Sequence, residues 1–108
     1  MILIRQWIDV IGNHMWRFYF SRPDADPGTM TDPNRLQWEA CSRAVTLFSR
    51  EEYEILHMYF TSPWGKDLHV VEDYAEQTGQ TTIKIWSTIK AANRAAAEER
   101  GLVDRKGV

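Results

Sequence analysis

Between residues 80 and 94 the chain spaces Gln80, Thr81, Thr82, Lys84, Ser87, Lys90 and Arg94 over about four helical turns. Amide and hydroxyl side chains can hydrogen-bond base edges. Ammonium and guanidinium groups can neutralise phosphates. The chemistry these residues could do together is recognition of duplex DNA. Nothing comparable exists for bond-breaking. His14, His57 and His69 are scattered, and Cys41 stands alone. No His-x3-His or Cys-x2-Cys spacing offers a metal site, and none is expected. Glu51-Glu52 and Glu72-Asp73 are adjacent pairs. On a helix such neighbours point about 100° apart and do not converge on one atom, whereas both pairs suit helix N-terminal turns. No nucleophile elbow, phosphate loop or dinucleotide glycine pattern is present. The expectation is a protein that is not an enzyme and needs no cofactor.

The recognition chemistry needs a helix to carry it. Ile85, Ile89, Ala92 and Ala96 form an inward stripe from residue 81 to 99. A helical wheel then puts Ile83, Ser87, Lys90 and Arg94 outward, with Lys84 and Ala91 beside them. Gln80, Thr81 and Thr82 cluster at the start. Ahead of that helix, residues 69–78 form another, and Gly79 lies between the two. Ala75, Gly79 and Ile85 supply a small residue for close approach, a turn residue open to positive φ and an aliphatic residue to fill the gap. This is the spacing of a helix-turn-helix. The outward Ile83 could meet a thymine methyl or another protein. In the loop before the motif, Trp64 and Lys66 are additional contact candidates, with Trp64 more readily explained as a cover for the core.

The remaining elements follow from local signals. Residues 2–20 read as a helix through Ile4, Trp7, Ile8, Ile11 and Met15, with a weak point at Gly12-Asn13. The alternation of Trp16, Phe18 and Phe20 is strand-like, but no partner strand is evident. Residues 21–34 hold three prolines and three aspartates and read as a loop. Asp32-Pro33 reads as an N-cap and first helical residue of a helix over 33–47. Its expected core rows are Leu36, Ala40, Ala44, Leu47 and Trp38, Cys41, Val45. Ser49 and Glu52 form a capping box for a third helix ending near Thr61, with Phe48 and Tyr53 at staple positions. Tyr53, Leu56 and Phe60 share its expected inner face, where His57 reads as a partly buried structural residue. Gly101 suits a C-terminal cap with Leu102 folding back. The fold class is therefore all-α, four to five helices with a C-terminal helix-turn-helix. Residues 1–108 form one domain, in which 1–48 are a helical support or dimerisation region and 49–102 the helix-turn-helix region.

Residues 49–97 resemble region four of bacterial sigma factors and the small sigma-like regulators of phages and mobile elements. The likeness lies in SREEYEILHMYF, then DYAEQTG, then TTIKIWSTIKAANRA. It implies Thr81 and Thr82 at the start of a recognition helix. It further implies Lys84, Ser87 and Thr88 at groove-facing positions, and Lys90 and Arg94 at backbone contacts. Residues 1–48 do not resemble the promoter-element-binding region of a full sigma factor, so a stand-alone regulator is the implied type.

Composition bounds these readings. With 108 residues, 44% hydrophobic and 26% charged, the chain has the makeup of one folded domain and not of a disordered segment. Net charge is −2, which argues against indiscriminate nucleic-acid binding. Its distribution is uneven: residues 1–48 are neutral, 49–79 carry −5 and 80–108 carry +3. The basic excess coincides with the candidate recognition helix. One cysteine, no apolar run near the roughly 18 residues of a membrane span and no signal-like order suggest a cytoplasmic protein away from membranes. The expected function is sequence-specific DNA binding in transcriptional regulation, of phage or mobile-element type. Double-stranded DNA is the expected partner, RNA polymerase a further candidate, and residues 2–20 a homodimer contact. Two alternatives share the motif: a phage DNA-packaging accessory of small terminase-like kind, and a helix-turn-helix protein-interaction module without DNA binding.

Overall fold

A computed structural model describes residues 5–63 and 67–103. Trp64 and Lys66 lie outside the described residues, as do the side chains of residues 5, 6, 67 and 68. The described residues are all-helical, with no strand. The helices are α1 (Arg5–Phe20), α2 (Asp32–Ala44), α3 (Arg50–Phe60), α4 (Asp67–Thr78) and α5 (Thr82–Glu99), with short 3-10 turns at Pro27–Thr29 and Val45–Leu47. Helix α5 packs against each of the other four and forms the centre of the bundle.

Helix α1 runs unbroken through Gly12 and through Trp16, Phe18 and Phe20, so neither a break nor an extended segment occurs there. Gly12 has a packing role instead. A Cβ added to it would lie 2.6 Å from both Cα and Cβ of Asn93 on α5. A glycine inside a helix costs about 0.5–1 kcal/mol relative to alanine, and here that cost permits a close crossing. One turn later Trp16 is fully buried, and its indole N–H donates to the Ala92 carbonyl of α5 at 2.8 Å. The Trp16 ring also stacks on Phe20 and on Phe60 of α3, at centroid separations of 5.7 and 6.0 Å. Arg17 donates to the Ser62 carbonyl at 2.6 Å, so α1 also caps the end of α3.

Helix α2 starts one residue earlier than its sequence suggests. The Thr31 carbonyl accepts the first helical bond from the Arg35 amide at 2.8 Å, which makes Thr31 the N-cap. Asp32 is inside the first turn, where its carboxylate pairs with Arg35 at 2.9 Å. Ala40, Cys41 and Ala44 are buried as expected, but Leu36 and Leu47 are 45% and 70% exposed. Leu47 lies beyond the end of α2, in the 3-10 turn that follows Ala44.

The capping box at α3 is present: the Ser49 hydroxyl accepts from the Glu52 amide, and the Glu52 carboxylate from the Ser49 amide. The helix ends at its C-cap Thr61. Leu56 and Phe60 are buried, but Tyr53 is 40% exposed and not on the inner face. His57 is also exposed, with its ring edge-on to Phe20 at 5.6 Å. At the far end of α5, Gly101 has φ +80°. Its amide donates to the Glu98 carbonyl and that of Leu102 to the Ala97 carbonyl, a Schellman closure.

Candidate nucleic-acid interface

Three residues, Gly79, Gln80 and Thr81, connect α4 to α5. Gly79 has φ +72° with open space where a side chain would project, so the backbone angle and not crowding calls for glycine. Thr81 is the N-cap of α5, its hydroxyl accepting from the Lys84 amide at 3.1 Å. Gln80 is half-buried and turned back on the connection, donating to the Thr78 hydroxyl at 3.2 Å. Its amide oxygen is buried without a hydrogen-bond partner among the described residues.

Helix α5 has two unlike faces. Ile85, Thr88, Ile89, Ala92, Asn93, Ala96 and Ala97 are buried. Thr82, Ile83, Ser87, Lys90 and Ala91 are exposed, Ile83 at 78%. The wheel therefore separates the faces correctly, with one correction to the family-based expectation. Thr88 is 6% exposed and its hydroxyl donates to the Lys84 carbonyl at 2.9 Å, so it does not face a groove. The cause is its register, one residue before the buried Ile89 and three after the buried Ile85.

Among the cations, Lys84 is half-exposed and forms an ion pair with Glu51 in the first turn of α3. Arg94 is 43% exposed and lies 3.8 Å from Glu98, one turn along α5. Lys90 is exposed on the flank nearest α1, where it lines a groove of about 200 Å³ with Asp9, Val10, Asn13 and Trp86. The start of α5 is thus less electropositive than its sequence suggests. The Tyr74 phenol of α4 is raised above its ordinary value by burial first, then by Glu54 and Glu51.

Glu51 is the residue that sequence reasoning assigned only to a helix terminus. Its pairing with Lys84 spans 33 positions, and no local pattern signals it. Of the α5 alanines, Ala92 and Ala96 are fully buried as the inward stripe expects, and Ala97, which that stripe did not include, is fully buried beside them. Cys41 is fully buried, and burial pushes its thiol far up, the opposite of an activated nucleophile. Among the described residues, no group of three or more His, Cys, Asp or Glu side chains could hold a metal ion, and no helix is long and apolar enough to cross a membrane. Compared with family models, curated proteins and solved structures, the chain finds no match in any of the three.

Proposed function

We propose that α4 and α5 act as a helix-turn-helix and that the outer face of α5 contacts duplex DNA in transcriptional regulation. The observation that carries this reading is the uncovered face from Thr82 to Ala91 on a helix otherwise surrounded by the rest of the bundle. The three-residue connection with its positive-φ glycine supports it. In this reading the hydroxyls of Thr82 and Ser87 meet base edges, and Ile83 packs against a thymine methyl. Lys90 and Arg94 meet phosphates and set the register. Thr81 and Gln80 shape the start of the helix, and Lys84 joins the phosphate contacts when it leaves Glu51. A stand-alone sigma-like regulator of phage or mobile-element type, working with RNA polymerase, is the specific form that the resemblance favours.

A second reading has its own observation. Ile83 is the most exposed large apolar side chain described, and the nearby Lys84 is already paired with a carboxylate. A protein partner would suit such a surface better than phosphate does.

Titration of the protein into labelled duplex at rising salt separates the two. DNA binding predicts affinity that falls with salt. Lys90→Ala with Arg94→Ala should weaken binding to all sequences and flatten the slope by about two units. No association with duplex at low salt would refute the DNA reading and leave the protein-interaction one.

A further inference from the structure

We infer that the groove between α1 and α5 is the contact between two copies of this chain. In the DNA-free protein the copies would be related by a twofold axis, with Asp9 of each meeting Lys90 of the other. This inference does not depend on DNA binding.

The inner face of α1 is occupied by Ile8, Gly12, Met15 and Trp16, yet its outer face carries Trp7 at 55% and Val10 at 49% exposure. Leaving an indole and a branched aliphatic side chain largely in water, three residues apart on one helix, forgoes burial that a partner would supply. Val10 belongs both to this apolar face and to the wall of the groove, so the two are continuous.

Charge selects the occupant. The groove has Asp9 on its α1 wall and Lys90 on its α5 wall. Among the described residues, no ion pair joins them to each other or ties either one elsewhere. In a twofold interface, residue i of one copy meets j of the other, and j meets i. One acid and one base on opposite walls of a groove are then self-complementary. Two copies make two equivalent salt links around an apolar centre of Val10 and Trp86. Electrostatic matching of this kind fixes register and excludes unlike partners.

The test is the mass of the full chain in solution, by sedimentation velocity from about 1 to 100 µM, the affinity range of modest interfaces. A species of twice the chain mass is expected. Val10→Glu should return it to monomer and, at a concentration low enough that the parent chain is also monomeric, leave the melting temperature unchanged, because Val10 is half-exposed. Asp9→Lys or Lys90→Asp alone should raise the dimer dissociation constant about tenfold, and the two together should restore it. A monomer throughout that range would overturn the inference. So would a dimer indifferent to Val10→Glu, or one that the combined reversal leaves as weak as either single change. Mass is measured without DNA, so this outcome is separate from that of the duplex titration, even though Lys90 enters both.

Discussion

The two faces of α5 obey different rules. On the inner face, Gly12 and Trp16 of α1 meet Ala92 and Asn93 at a crossing where one added carbon has no room. On the outer face, from Thr82 to Ala91, side chains of several sizes and a fully outward isoleucine stand clear of the bundle. Substitutions at the crossing should therefore register as stability, and those on the outer face as binding. One helix thereby separates what holds the protein together from what it presents.

The comparison breaks most visibly at Trp16. Trp16→Ala should cost about 3–5 kcal/mol, the range for removing a large buried aromatic side chain, read from the midpoint of urea unfolding. A loss below about 1 kcal/mol would mean that the crossing is not the core it is described as. Next is Gly12→Ala. Gained helix propensity favours alanine by up to about 1 kcal/mol, but the new Cβ would press on the backbone of α5. Overpacking costs of about 1–3 kcal/mol should prevail, giving a lower melting temperature. Stabilisation by this change would contradict the close approach.

Gly101→Ala tests the far end of α5, where φ is +80° with open space around it. Only backbone strain opposes the alanine, so a loss of about 1 kcal/mol is expected, smaller than at Gly12. Ile83→Ser sharpens the contrast from the other side. At 78% exposure it should change unfolding free energy by less than about 0.5 kcal/mol while altering whatever α5 binds. A large loss of stability there would show that Ile83 has an intramolecular partner and would end its role as a contact.

What the sequence made legible was local. The Ser49 and Glu52 capping box, the left-handed glycines at 79 and 101, and the Ile85, Ile89, Ala92 stripe each act within a turn or two of chain. Their signals are therefore written in neighbouring residues. The helical class and the outward position of Ile83 followed from them. Contacts between distant segments were not legible. Gly12 resembled a helix breaker because its partner, Asn93, is 81 positions away in sequence. Lys84 resembled a free cation because Glu51 is on another helix. Leu47 resembled a core residue because its spacing from Ala44 is helical, but α2 ends at Ala44 and Leu47 is 70% exposed. Thr88 fitted a family position, but packing against the core claims it first.

We propose that the uncovered face of α5 reads duplex DNA, and selection of the full chain against a random duplex library, followed by sequencing, tests this most directly. A defined motif is expected to be enriched, and to be lost or changed when Ser87 or Ile83 is substituted while the fold is retained. Recovery of no motif from folded protein at low salt, with or without those substitutions, would contradict it.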